Sequence, residues 1–155
     1  MTELTESALG FDFGLRRIGV AFGQSLTATT QPLNPIAAKD GIPDWSLIDK
    51  VIGEWQPKII VVGLPLNMDG TISDMARRAR KFANRIHERS KIPCFLFDER
   101  LTSQEAKSIH LENGGSANFG AESVDGIAAQ LMLEGWFLQE QRIPSHARLE
   151  DYYDQ

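Results

Sequence analysis

Three acidic positions stand where an unpaired carboxylate would be costly to bury. Asp12 lies inside the extended run ALGFDFG, residues 8 to 14, between Gly10 and Gly14. Glycines weaken a strand, but they leave room for something to approach its backbone. Asp98 and Glu99 follow directly on the apolar run Cys94 to Phe97, and Asp125 stands between Val124 and Ile127. Carboxylates gathered at one point repel each other unless they share a cation. Hard oxygen donors without an accompanying His or Cys set favour Mg²⁺ or Mn²⁺ over zinc. Two such ions can activate a water and stabilise the leaving oxygen in phosphodiester hydrolysis. Asp12, Asp98, Glu99 and Asp125 are therefore candidate catalytic residues and candidate metal ligands. Each also has a plainer reading: Asp12 as the ion-pair partner of Arg16 or Arg17, Asp98 as the partner of Arg100, Glu99 as a solvent-facing group, and Asp125 as an acid complementing a helix dipole.

A centre of that kind needs cations to hold its substrate. Met75, Ala79, Phe82 and Ile86 recur at helical spacing and mark a core-facing stripe. Arg77, Lys81 and Arg85 repeat every four residues on the far side, with Arg78 beside them and only Glu88 opposing. This pattern fits a ridge that tracks phosphates, or else a solvated helix face. Asn67, Thr71 and Ser73 in the preceding loop are placed to reach phosphate oxygens, and Arg16, Arg17 and Arg100 add charge near the carboxylates.

The elements that must position these groups follow from periodicity. In residues 8 to 14, Leu9, Phe11 and Phe13 share one strand face, and Gly10, Asp12 and Gly14 share the other. Leu15-Arg16-Arg17 links to a second strand, Ile18 to Phe22. Residues 28 to 38 form a third, irregular or at an edge because of Pro32 and Pro35. Asp44 caps a helix with Leu47, Ile48, Val51, Ile52 and Trp55 as its buried stripe, and Pro57 ends it. Lys58 to Gly63 is a continuous apolar run, the pattern of a strand buried on both faces. Asp69-Gly70 marks a turn. Thr71-Ile72-Ser73-Asp74 resembles a capping box opening a helix to about Arg89. Cys94 to Phe97 is a fifth strand. Thr102-Ser103-Gln104-Glu105 starts a helix that stops near Asn113-Gly114-Gly115. A last helix runs from about Glu122 to Gln141.

This order predicts an α/β fold, with a mixed five-stranded sheet and helices on both faces. Three strands pair as an antiparallel meander, and the later two join by parallel crossovers. One domain covers residues 1–141, and 142–155 form a polar, acidic, frayed tail. In open α/β sheets, sites form at the C-terminal ends of the parallel strands. Asp12 and Asp98-Glu99 reach that edge if the first, fourth and fifth strands are parallel neighbours, and the last helix can bring Asp125 beside them.

Composition sets the outer bounds. The chain has 155 residues, 42% hydrophobic and 24% charged, enough for one real core. No apolar run spans a bilayer, and the start MTELTES is not a signal peptide. The one cysteine, Cys94, sits in an apolar run and reads as an inert core thiol in a cytoplasmic protein. A net charge of −5 does not exclude nucleic-acid binding, because affinity comes from a local basic surface.

Four segments resemble, in order and spacing, the YqgF family: DFGLRRIGVA (Asp12 to Ala21), VGLPLNMDGT (Val62 to Thr71), FDERLT (Phe97 to Thr102) and VDGIAA (Val124 to Ala129). Its members are called pre-16S ribosomal RNA nucleases or Holliday-junction-resolvase-like proteins. The resemblance implies a ribonuclease H-like fold, a cytoplasmic location, and trimming of the 5′ end of precursor small-subunit ribosomal RNA. It places catalytic acids at Asp12, Asp98-Glu99 and Asp125. Two departures stand out: Gln24 where many members are acidic, and Ala121, Glu122 and Ser123 where many carry lysines. The partners it implies are precursor ribosomal RNA, structured DNA and ribosomal particles, with the chain a monomer or weak homodimer and no membrane involved. Three other readings compete. A junction resolvase would need a symmetric dimer. A weakly active module binding RNA or a transcription complex would keep the fold alone. An actin-like ATPase half would need a second domain that 155 residues cannot supply.

Overall fold

Ile59 to Leu64, an unbroken apolar run, is buried at every residue and lies within the sheet. The computed structural model describes residues 6–25, 29–101, 121–139 and 142–154; for 101 and 121–125 only the backbone is described. The strands are β1 (Ser7–Asp12), β2 (Arg17–Gln24), β3 (Thr29–Lys39), β4 (Ile42–Pro43), β5 (Ile59–Leu64), β6 (Cys94–Asp98) and β7 (Ile143–Pro144). The helices are α1 (Trp45–Trp55), α2 (Asp74–Ser90) and α3 (Ala121–Leu138). The helix expected from Thr102 lies outside the described residues.

The sheet order is β4-β3-β2-β1-β5-β6-β7. β1, β2 and β3 form the expected antiparallel meander, and β1, β5 and β6 run parallel. The sheet thus has seven strands where the sequence predicts five. The two additions are two-residue strands, one at each edge. β4 returns on β3 through Asp40-Gly41, both at positive φ, which is the backbone a two-residue hairpin loop requires. β7 pairs antiparallel with β6.

The sheet divides the interior into two layers. On one face Leu9, Phe11, Val20, Ile60, Val62 and Leu96 pack under α1 and α2. Phe11 meets Phe82 of α2 edge-on at 5.8 Å, and Phe22 stacks on Trp55 of α1 at 4.6 Å. On the other face Ala8, Ala21, Val61 and Phe97 pack under Ala129, Met132, Leu133 and Trp136 of α3.

Local signals hold with some shifts. Asp44 caps α1 by accepting from the Ser46 amide at 3.0 Å, but Leu47, expected in the buried stripe, is exposed. The cap of α2 is Ser73, which accepts from the Ala76 amide at 2.9 Å, and not Thr71. Thr71 instead donates its hydroxyl to Asp69.

The C-terminal segment differs most from expectation. It is polar in composition yet packed in place, because its few apolar groups find the core. Ile143 and Leu149 are buried in the α1/α2 layer. Arg80 of α2 donates to the carbonyls of Ala147 (2.7 Å) and His146 (3.0 Å).

Candidate active site

Register decides which acids can meet. Along β1, Leu9 and Phe11 enter the α1/α2 layer, so Ala8, Gly10 and Asp12 take the α3 side. A Cβ at Gly10 would come within 2.7 Å of Leu133 and 2.9 Å of Met132, so α3 can approach only because glycine stands there. Asp12, half-buried, is the last residue of β1. Phe11 is level with Val62 of β5, which sets Asp12 beside Gly63.

Gly63 is the gap in which the second acid sits. A Cβ there would lie 2.5 Å from Glu99 Oε1 and 2.9 Å from Met132 Sδ. The Glu99 carboxylate therefore lies over β5 on the α3 side, one strand from Asp12. Neighbouring strands are about 4.8 Å apart, so the two acids share one small space at the C-terminal ends of β1 and β5.

Asp98 faces the other way. Phe95 and Phe97 pack with α3, whereas Leu96 belongs to the opposite layer, and Asp98 follows Leu96 in the alternation. It is 4% exposed and holds Arg100 three ways, accepting from its backbone amide (2.9 Å), Nε (3.1 Å) and Nη2 (2.7 Å). Tyr153 packs nearby, and burial followed by the Asp98 charge pushes its phenol up to about 12. The ion-pair alternative seen in the sequence for Asp98 is the arrangement found. Asp125 lies in the first turns of α3, but its side chain falls outside the described residues. At the next residue, a Cβ on Gly126 would meet Pro32 of β3 at 2.7 Å, so this end of α3 presses on the meander.

The predicted phosphate contacts separate into two places. Arg16 on the β1–β2 turn and Arg17 at the start of β2 are exposed, a few residues after Asp12 in the chain. Arg100 leans over Gly70, where a Cβ would meet its Nη1 at 2.9 Å. Asn67 donates to Thr71 Oγ1 (2.9 Å) and Thr71 to Asp69 (2.6 Å), so these two shape the loop at the same edge. The Thr71 hydroxyl, and then its backbone amide, donate to Asp69 and hold its carboxyl below the ordinary value. Arg77, Lys81 and Arg85 are exposed on α2, across the sheet from Asp12 and Glu99. Residues the sequence reading missed also shape this edge. Gly63 was visible only as the end of an apolar run. Tyr153 and the Asp154 carbonyl, which accepts from the Ile72 amide at 2.8 Å, come from the segment taken for a tail.

Among the described residues no three His, Cys, Asp or Glu side chains converge. Asp12 and Glu99 are nonetheless a pair of hard oxygen donors beside a cradle that a Cβ at Gly63 would fill, which fits a divalent cation of the Mg²⁺ class.

Relatives and solved structures agree with this architecture. A Saccharophagus degradans protein named "Putative pre-16S rRNA nuclease" is 51% identical over 140 residues, covering 90% of this chain and 99% of that protein. A Marinobacter nauticus protein of the same name is 54% identical over 128 residues, covering 83% and 90%. The Thermus thermophilus RuvC structure in complex with a Holliday junction substrate aligns at TM-score 0.59 and 12% identity, over 90% of this chain and 99% of that one. The yeast mitochondrial Holliday junction resolvase Ydc2 aligns at TM-score 0.51 and 13% identity, over 84% and 77%. The fold is ribonuclease H-like. Residues 6–139 match the sequence pattern described as RuvX: Holliday junction resolvase, so the chain belongs to the RuvX (YqgF) family.

Proposed function

We propose that this chain is a metal-dependent nuclease that hydrolyses phosphodiester bonds in precursor 16S ribosomal RNA, acting in the cytoplasm during ribosome biogenesis. The observation that carries this is the sharing of one space by Asp12 and Glu99 at the C-terminal strand edge, on the side of the sheet that α3 covers. The pre-16S nuclease names of relatives above 50% identity support the choice of substrate.

Asp12, Glu99 and Asp125 would hold Mg²⁺ or Mn²⁺. Such a cation, when bound, supplies an activated water and charge neutralisation for phosphodiester cleavage. The chain's own residues do the rest. Asp12 and Glu99 would hold that cation from the ends of the two strands flanking Gly63, since two carboxylates by themselves repel a phosphate. Arg16 on the β1–β2 turn and Arg17 at the start of β2 meet backbone phosphates. Asp98 acts as a positioning residue, because its three hydrogen bonds aim Arg100 across the loop at Gly70. Met132 and Leu133 close the floor of the site against water.

The family description and the fold of the RuvC complex favour a second reading, a four-way-junction resolvase. Such an enzyme would need two copies related by a twofold axis. Incubating the protein with precursor ribosomal RNA, a model junction and single-stranded RNA, with and without Mn²⁺, separates the readings. Cleavage of precursor RNA only with the metal, lost in Glu99→Gln at an unchanged melting temperature, is the expected result. Full activity in Glu99→Gln would remove Glu99 from the site.

A further inference from the structure

Among the described residues, five cationic side chains, Arg77, Arg80, Lys81 and Arg85 of α2 and Arg148 of the C-terminal segment, line one groove of about 510 Å³, with only Glu88 and Glu150 as acids. This is a concentration of positive charge in a chain whose net charge is −5. Little of it is neutralised. Arg77 pairs with Glu150 at 3.0 Å, but Arg80 spends its hydrogen bonds on neutral carbonyls. Arg85 lies over the Trp45 ring at 5.8 Å, which leaves its charge in place. Lys81 has no counter-ion among the described residues.

The groove has a built wall. Leu149, 1% exposed, pins the C-terminal segment to the core, and Arg80 and the Arg77–Glu150 pair tie it to α2. This wall lies outside the region matched to the family, residues 6–139. The groove also opens on the face of the sheet opposite Asp12 and Glu99, beyond the thickness of a helix, about 10–12 Å. A phosphate at the carboxylates therefore cannot touch it.

We infer that this groove is a second nucleic-acid site, holding the phosphate backbone of a part of the structured RNA remote from the bond being cut. Residues four apart on a helix rise about 6 Å, close to the step between successive phosphates, so Arg77, Lys81 and Arg85 can meet consecutive phosphates of one strand. Leu149 is the one apolar residue lining the groove among the described residues, which argues against a small apolar ligand. An RNA held on both faces is recognised by its shape as well as at its cleavage point. The inference rests on the nuclease reading, and its test therefore measures binding.

The test uses the full chain carrying Asp12→Asn, so that RNA survives in the metal. Adding Lys81→Glu, Arg85→Glu and Arg148→Glu should weaken binding of a structured precursor-RNA fragment by about tenfold or more. It should also lower the slope of log affinity against log salt by about 2 to 3. Affinity for a single-stranded oligonucleotide too short to reach around the domain should change little. Separately, a photo-crosslinker on Asn84→Cys should mark nucleotides away from the cleavage position, since Cys94 is buried and will not compete for label. Equal losses for short and structured RNA, no loss for either, or crosslinks confined to the cleavage position would each overturn the second site. Intact two-face binding together with a parent chain, Asp12 restored, that cleaves no RNA in Mn²⁺ would instead overturn the nuclease reading alone.

Discussion

The two faces of β1 are made from alternate residues of one short strand, yet they serve opposite ends. Leu9 and Phe11 fill the α1/α2 layer, where Phe11 packs on Phe82. Ala8, Gly10 and Asp12 face α3, where small residues let a helix and two carboxylates come close. One face gains stability from aromatic volume, and the other gives up volume so that chemistry has room. Mutations on the two faces should therefore divide cleanly between stability and activity.

The largest effect should come from the open face. Asp12→Asn removes one of the acids proposed above to hold a cation, and metal-ion stabilisation of a transition state is worth several kcal/mol. At about 1.4 kcal/mol per tenfold, cleavage should fall on the order of 10³-fold. In chelator the variant should melt no lower than the parent, because removing one charge relieves repulsion. Loss of a buried ion pair would shift melting down by a few kcal/mol instead. A markedly destabilised variant that still cleaves in Mn²⁺ would erase the functional half of the comparison.

The packed face should answer with stability. Phe11→Ala should cost about 3–5 kcal/mol in denaturant unfolding, with cleavage per folded molecule largely kept. Gly63→Ala sharpens the contrast, since its new Cβ would lie 2.5 Å from Glu99 Oε1. The Glu99 carboxylate can swing aside, but Met132 Sδ, 2.9 Å from the new Cβ, is buried and must shift within the core, so a loss of about 1–3 kcal/mol accompanies the change. The displaced carboxylate should also lower cleavage per folded molecule by about 10- to 100-fold, as displaced supporting groups do at metal sites. Stability lost with kcat per folded molecule unchanged would show that the space over Gly63 serves packing.

The smallest effect concerns pH. Burial in the α1/α2 layer pushes the Cys94 thiol from 9.0 up to about 12. The folded chain then holds this proton more tightly than the unfolded chain. The thiol's contribution to stability is therefore complete below pH 9 and declines as pH rises from about 9 towards 12. Cys94→Ala should flatten that alkaline decline in melting temperature, and a slope unchanged by the substitution would place the titrating group elsewhere.

Much of this was legible in advance because it is local or periodic. The alternation around Asp12, the unbroken run at Ile59–Leu64, the α2 stripe and the Asp44 cap all express residue-level preferences that survive folding. The edge hairpin was not among the predicted elements: Asp40-Gly41 is a turn dipeptide, but two residues of strand carry no periodicity to find.

By itself the sequence determined the two faces of β1, the doubly buried run of β5 and the sequence of strands and helices, because side-chain period and element order are properties of the chain. Three matters waited on tertiary structure. Asp98 and Glu99 are adjacent in sequence, and only the registry of β6 beside β5 turns one into the Arg100 ion pair and the other over Gly63. The basic stripe of α2 was visible, but its separation from the carboxylates depends on which side of the sheet that helix packs. The C-terminal segment looked frayed because its composition is polar; Ile143, Leu149 and Tyr153 are too few to signal a core, and they become one only where β6 and α2 supply the other side.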